Sequence, residues 1–190
     1  MGTPDSERPP HPFKTISSRT AWSCPWYSIR EDVFTTPAGS EGRYYIVDVI
    51  GGVWIIPLTR KNEIVLIYNY RYPISQWCWE LPAGGMRTGQ TPEEVARAEL
   101  KEEIGGRAQD LFLFTTFHTV PSISNEKAHV FIATGVELGQ TDHEDTEVMQ
   151  VHALPMDEVF EMARTNRIHD ARSAYALLIA EQRLRELARA

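Results

Sequence analysis

The chain predicts an α+β fold, an α/β/α sandwich, on three observations: several strand patterns precede the first helix, that helix is bounded by strong local signals, and two helical patterns close the chain after further strands. Strands and helices do not alternate as a doubly wound sheet requires. Residues 1–14 are polar and rich in proline, and read as a disordered leader with little to bury against the entropy of ordering. Residues 15–50 read as a small antiparallel β segment. It carries Trp22, Trp26 and Tyr27, then Tyr44, Tyr45, Ile46 and Val47, with a turn at Thr36-Pro37-Ala38-Gly39 between two alternating runs. Residues 51–190 form the main domain. Its first strands, Val53 to Leu58 and Glu63 to Tyr70, flank the polar turn Thr59-Arg60-Lys61-Asn62, and a shorter strand, Trp77 to Leu81, follows the break at Pro73.

The helix begins at Thr91-Pro92-Glu93-Glu94, where an N-cap threonine, a proline in the first turn and a glutamate three residues after the cap make a capping box. Gly105-Gly106 ends it. Strands are then predicted over Asp110 to Phe117, Ala128 to Val136 and Val148 to Leu154, the second apolar enough to be buried on both faces. Helical patterns follow over Met156 to Arg164 and Asp170 to Ala188.

Composition excludes several classes. The 190 residues are 42% hydrophobic, 24% charged and 10% aromatic, which suits one globular domain able to bury about 70% of its unfolded surface. The longest apolar runs fall far short of the roughly 20 residues a membrane span needs, and residues 1–14 lack the apolar core of a secretory signal. A formal net charge of −7 argues against a nucleic-acid-binding surface. Cys24 and Cys78 stand at no metal-ligand spacing, and the expected compartment is a reducing cytoplasm.

The chemistry concentrates on the first helix. Ala96, Leu100 and Ile104 form an apolar stripe, and Glu99, Glu102 and Glu103 fall beside it within about 100° of arc. Like charges at these spacings repel, and acidic groups near a helix C-terminus oppose its dipole. A cation would offset that cost. The glycine-containing loop Leu81-Pro82-Ala83-Gly84-Gly85 just before the helix can add a backbone carbonyl, completing the oxygen-rich set that Mg2+ shares with substrate phosphates.

The stretch Gly84 to Gly106 resembles the Nudix box, G-x5-E-x7-R-E-U-x-E-E-x-G-U with U aliphatic, at Gly84, Glu99, Leu100, Glu102, Glu103 and Gly105. Three positions depart: Gln90 for the first Glu, Ala98 for the Arg and Gly106 for the last aliphatic residue. In the family that Arg and Glu form a supporting ion pair, and losing both leaves no charge unpaired. Arg97, one position early, points about 100° away and is a poor substitute. Three further features are similar to the branch acting on ADP-ribose and nucleotide sugars: Tyr70-Arg71-Tyr72-Pro73 followed by Glu80-Leu81-Pro82-Ala83-Gly84, Pro121 sixteen residues past Gly105, and Ile168-His169-Asp170-Ala171 leading into the final helix.

The resemblance implies a Nudix fold with a mixed sheet, and hydrolysis of a nucleoside diphosphate sugar, first ADP-ribose to AMP and ribose 5-phosphate, with Mg2+ or Mn2+ as cofactor. The implied metal ligands are Glu99, Glu103 and Glu102 with the Ala83 carbonyl; Glu102 and Glu103 share the catalytic work. The resemblance also implies a further carboxylate, acting as base or as an extra metal ligand, from Glu144, Asp145 or Glu147, with Glu147 the nearest match. Arg71 suits a phosphate clamp, since its planar fork fits phosphate oxygens. Glu80 is expected on a ribose hydroxyl or in support of the metal loop, and Gly84 and Pro121 at the substrate. Trp26 with Tyr44 or Tyr45 resembles the aromatics that stack adenine across a homodimer. The alternatives are a hydrolase of other nucleotide sugars or dinucleoside polyphosphates, and a Nudix-fold sensor that binds ADP-ribose without turnover.

Overall fold

The computed structural model describes residues 11–142 and 148–189. The acidic residues Glu144, Asp145 and Glu147, and most of the expected leader, lie outside the described residues. The chain divides into two compact units, Met1–Val49 with Val120–Glu126, and Ile50–Thr119 with Lys127–Ala190.

The first unit is a three-stranded antiparallel meander of β1 (Lys14–Ser23), β2 (Ser28–Thr35) and β3 (Glu41–Asp48). The expected turn joins β2 to β3, with Gly39 at φ 85° and its N–H donating to the Thr36 carbonyl at 2.9 Å. Strand β1 is one more than the alternating runs suggest. All ten of its residues are exposed, so no apolar period marks it. Segment 120–126 joins this unit along β3. Val47 N–H donates to the Ile123 carbonyl at 2.8 Å, Ser124 Oγ donates to the Val47 carbonyl at 2.9 Å, and Val49 N–H donates to Asn125 Oδ1 at 2.9 Å.

The second unit is a seven-stranded mixed sheet with helices on both faces. Its strands are β4 (Gly52–Thr59), β5 (Glu63–Arg71), β6 (Gln76–Glu80), β7 (Ala83–Gly85), β8 (Asp110–His118), β9 (Lys127–Val136) and β10 (Met149–Pro155). The order runs β10-β5-β4-β9-β8, with β6 on β5 and β7 on β4; among the described strand pairs of this sheet only β4 with β9 is parallel. Helix α1 (Pro92–Ile104) follows β7, and α2 (Met156–Arg164) and α3 (Ala171–Leu187) close the chain.

Side-chain alternation along the central strands makes the sandwich. Val53, Ile55, Val65, Ile67, Phe131 and Ala133 pack with Val95, Ala96, Leu100 and Ile104 of α1. Their neighbours Trp54, Ile56, Ile64, Leu66, Val130 and Ile132 pack with Val159 and Phe160 of α2 and Ala176, Leu177, Ala180 and Leu184 of α3. Both faces of β4, β5 and β9 are thereby buried, so their near-continuous apolar runs read as they should. The α/β/α sandwich with a mixed sheet is the observed fold. Among the described residues no helix is long and apolar enough to cross a membrane.

Candidate active site

Helix α1 starts as its sequence dictates. Thr91 Oγ1 accepts from Glu94 N–H, Thr91 N–H donates to Glu94 Oε2 at 2.8 Å, and Pro92 fills the first turn. It ends at Gly105, which is left-handed at φ 62° and so close to the next loop that a β-carbon would stand 2.7 Å from the Gln140 carbonyl oxygen. Burial of the Val95, Ala96, Leu100 and Ile104 stripe on the sheet sets the rotation of the helix. That rotation carries Glu99 and Glu103 to the edge of the stripe, facing the loop between β6 and β7.

That loop is held at nearly every residue. Leu81 N–H donates to Ser173 Oγ at 2.9 Å, the Pro82 carbonyl accepts from Ile55 N–H at 2.9 Å, and Ala83 N–H donates to Glu103 Oε2 at 2.8 Å. Ala83, Gly84 and Gly85 pair with Trp54, Val53 and Gly52, and Met86 N–H donates to the Gly51 carbonyl at 3.0 Å. The Glu99 carboxylate occupies the space where a side chain on Gly84 would stand, its Cγ 2.6 Å from the position of a β-carbon there. Thus Glu99, half-buried, and Glu103, only 5% exposed, converge on Ala83-Gly84 from one helix. Glu102 is exposed, and its main-chain carbonyl accepts from Asp142 N–H at 2.9 Å. Among the described residues no three His, Cys, Asp or Glu side chains form a ready-made metal cluster. The structure brings Glu99 and Glu103 to the loop, and Glu102 is exposed on the same helix.

Arg71, the expected phosphate clamp, and Glu80, expected on a ribose hydroxyl or in support of the metal loop, are joined to each other in the structure. Arg71 Nε lies 2.9 and 3.0 Å from the two Glu80 oxygens, and Nη2 bonds Glu80 Oε2 at 2.5 Å. Glu80 is 2% exposed, so a fork-to-fork pair is what makes its charge tolerable there. The pairing leaves the two Nη1 hydrogens and one on Nη2 directed away from Glu80. The hydrogen bonds to Glu80 hold the Arg71 pKa above its ordinary value against the opposing effect of burial, and the charges of Glu80, Asp170 and Glu103 add to them. The last two place the α3 start and the α1 carboxylate within electrostatic reach of this guanidinium.

Where the resemblance lacks its supporting ion pair, Gln90 Oε1 accepts from Arg87 N–H at 2.8 Å and Ala98 is exposed. No buried charge is stranded there. Arg97 pairs with Glu93 on the solvent side at 2.7 Å, well away from the pair's place.

The remaining candidates belong to the first unit. Trp26 is 83% exposed, Tyr45 is exposed, and Tyr44 donates its hydroxyl to the Ser122 carbonyl, next to exposed Pro121. Glu147 lies outside the described residues.

Three further features stand in the second unit. Asp170 caps α3, accepting from Ser173 N–H at 3.0 Å and from Ser173 Oγ at 2.7 Å. The spacing of an Asp and a Ser three residues on is an N-cap signal, but its contact with Leu81 spans most of the chain and has no local mark. His129, on β9, holds Nδ1 buried with no hydrogen-bond partner among the described residues, and burial, aided by the Lys127 charge, lowers its pKa. The register sets His129 beside Val53, whose other neighbour is Gly84. Near the start of α3 a cavity of about 300 Å³ is lined by Phe117, His118, Thr119, Ala171, Arg172 and Tyr175.

Comparison with known proteins agrees with this geometry. A family model described as the NUDIX domain matches residues 50–178. The ADP-ribose pyrophosphatase of Bacillus subtilis (strain 168) is 28% identical over 166 residues, covering 86% of this chain and 90% of that protein. The ADP-ribose pyrophosphatase of Mycobacterium tuberculosis (strain ATCC 25618 / H37Rv) is 32% identical over 142 residues, covering 73% and 69%. A solved structure titled as an ADP compounds hydrolase superposes with a TM-score of 0.81 at 18% identity, over 96% of this chain and 100% of its own, which is a likeness of fold. Hydrolases of this kind generally need a divalent metal ion. With the box glutamates on α1 turned to the Ala83-Gly84 loop of an α/β/α sandwich, the chain belongs to the Nudix hydrolase family.

Proposed function

We propose that this chain hydrolyses the pyrophosphate of a nucleoside diphosphate sugar, first ADP-ribose, to AMP and ribose 5-phosphate. The observation that carries the reading is the convergence of Glu99 and Glu103 on Ala83-Gly84, supported by relatives named ADP-ribose pyrophosphatase in two bacteria. The donor set fits Mg2+ or Mn2+: it consists of carboxylates and main-chain carbonyl, with no thiol or imidazole. Glu99, Glu103 and the Ala83 carbonyl would hold the ion, with Glu102 joining them. An ion held by these residues would supply charge neutralisation at the pyrophosphate oxygens and a more acidic water.

The residues of the chain do the rest. The loop clamped by β4, Ser173 and Glu103 presents its carbonyl without reorganisation. Arg71, oriented by Glu80, offers Nη1 to a phosphate oxygen, and Glu147 takes the proton of the attacking water. Trp26 with Tyr44 or Tyr45 stacks the base, and Pro121 and Gly84 contact the substrate. A homodimer through the first unit is supported by the exposure of Trp22, Trp26, Tyr27 and Tyr45 and of every β1 residue. The compartment is the cytoplasm.

A non-hydrolysing ADP-ribose binder is the second reading, favoured by the missing three-carboxylate cluster among the described residues. Phosphate-coupled turnover with Mg2+ or Mn2+ decides between them, using ADP-ribose, ADP-glucose, GDP-mannose, UDP-glucose and diadenosine polyphosphates as the panel. Metal-dependent turnover led by ADP-ribose, abolished by chelation and by Glu103→Gln, supports the hydrolase. Binding of ADP-ribose with no turnover of any substrate replaces it with the binder.

A further inference from the structure

We infer that Ser173, on the last helix and far in sequence from the Nudix box, is a positioning residue for the hydrolysis, holding the Ala83 loop in place through Leu81; this rests on the proposed function. Between β6 and β7 the chain reads Leu81-Pro82-Ala83, and Pro82 has no N–H. The loop therefore has two main-chain donors before Gly84, and each is taken by a side chain from a different helix. Ala83 N–H goes to Glu103 of α1 and Leu81 N–H goes to Ser173 of α3. The two helices lie on opposite faces of the sheet, as their separate cores show, so the loop is gripped from both sides.

The grips are not equivalent. Glu103 is itself a proposed ligand, and charge drawn from its carboxylate toward a cation weakens what it gives Ala83. Ser173 carries no such second duty. Its residue is fully buried at 0% exposure, and its one hydroxyl proton is committed to Asp170 Oδ2 at 2.7 Å, so toward Leu81 the oxygen is an acceptor only. Asp170 is fixed in turn by Ser173 N–H and by Arg172 Nε at 3.0 Å. A charged acceptor behind the hydroxyl polarises it and strengthens its bond to the amide. The chain Arg172 to Asp170 to Ser173 to Leu81 thus sets where the Ala83 carbonyl stands. Alanine at 173 would leave Leu81 N–H without its acceptor and the loop tied on that side by β4 alone.

The test uses the intact protein, Ser173→Ala, Ser173→Thr and Leu184→Ala, the last loosening α3 at its far end among core residues outside the loop. Amide exchange at Leu81, Mn2+ binding followed by electron paramagnetic resonance without substrate, and the kcat and KM for ADP-ribose are read on each. In Ser173→Ala, exchange at Leu81 accelerates, and Mn2+ affinity and kcat each fall about 10-fold or more, as for other residues supporting metal ligands, while KM stays within about 2-fold. Ser173→Thr, which keeps the hydroxyl, returns both toward wild type, and Leu184→Ala leaves both within about 2-fold. Wild-type Mn2+ affinity in Ser173→Ala, or the same losses in Leu184→Ala, overturns the inference. If the wild type turns over no substrate, the proposed function fails, and the Mn2+ and exchange measurements still decide this point: weaker Mn2+ binding in Ser173→Ala upholds it, and unchanged or undetectable wild-type binding overturns it.

Discussion

Replacing Gly84 with alanine separates the folding of the loop from the placement of Glu99. The added β-carbon falls where the Glu99 carboxylate now lies. Glu99 Cγ, 2.6 Å from that position, must retreat by about 0.8 Å to reach 3.4 Å, where ordinary contact begins, and the carboxylate beyond it must move further. The obstacle is the end of a flexible side chain, and the Gly84 backbone lies outside the left-handed region, so the loop itself accepts alanine. Restricting the unfolded chain adds about 0.4–1 kcal/mol of stability. Forcing Glu99 from its rotamer costs about 0.5–1.5 kcal/mol. These nearly cancel, so Gly84→Ala should melt within about 4 °C of wild type. Activity should behave otherwise, since a displacement near 1 Å at a ligand costs about 100-fold in rate. Thermal melting beside Mg2+-dependent ADP-ribose turnover reads both. A Gly84→Ala protein with kcat within about 3-fold of wild type would show that Glu99 need not stand over Gly84, and would remove the observation on which the metal reading rests.

Other perturbations address single contacts. Arg71→Lys replaces a fork by a point charge beside Glu80, which is 2% exposed, and should lower unfolding stability by about 1–3 kcal/mol in urea titrations; an unchanged midpoint would mean that the pair contributes nothing. Gly105→Ala meets both a positive φ and the backbone at Gln140, and should cost about 2 kcal/mol or more, read by the same titration. The lowered pKa of His129 makes the unfolded chain the better proton binder below its ordinary 6.5. Stability is thus unaffected by this group above that pH and falls as pH drops from there toward the folded-state pKa. His129→Gln should lose less melting temperature than wild type between about pH 7.5 and 5, and equal losses would place the acid sensitivity elsewhere.

Local signals made α1 legible and tertiary contacts hid much of its surroundings. Thr91, Pro92, Glu94 and Gly105 act within one turn of each helix end, and both bonds of the capping box form. Strands β4, β5 and β9 are apolar because helices cover both faces, a pattern visible without coordinates. Strand β7, Ala83-Gly84-Gly85, has no strand propensity and is extended because β4 pairs with it. The Arg71 and Glu80 partnership was equally hidden. In the β5–β6 register Arg71 stands opposite Gln76 and Glu80 opposite Ile67, so no cross-strand rule unites them. Glu99 and Glu103 were legible from helical spacing, while Ser173 depended on α3 docking against the opposite face.

The parallel pairing of β4 with β9 bears on when the site can exist during folding. Gly52 meets Ala128 and Pro57 meets Ala133, with β5 to β8 and α1 all falling between them in the chain. Such a contact closes a long loop, and its entropic cost comes before any reward from the pairing. In the reverse direction β4 has a single registered partner on β5, Leu58 with Ile64. The strand that positions Ala83 and Gly84 is therefore completed only after residue 133 is available, although the whole motif from Gly84 to Gly106 has been synthesised well before. A nascent chain ending just past the motif carries every box glutamate and no assembled loop for them to face.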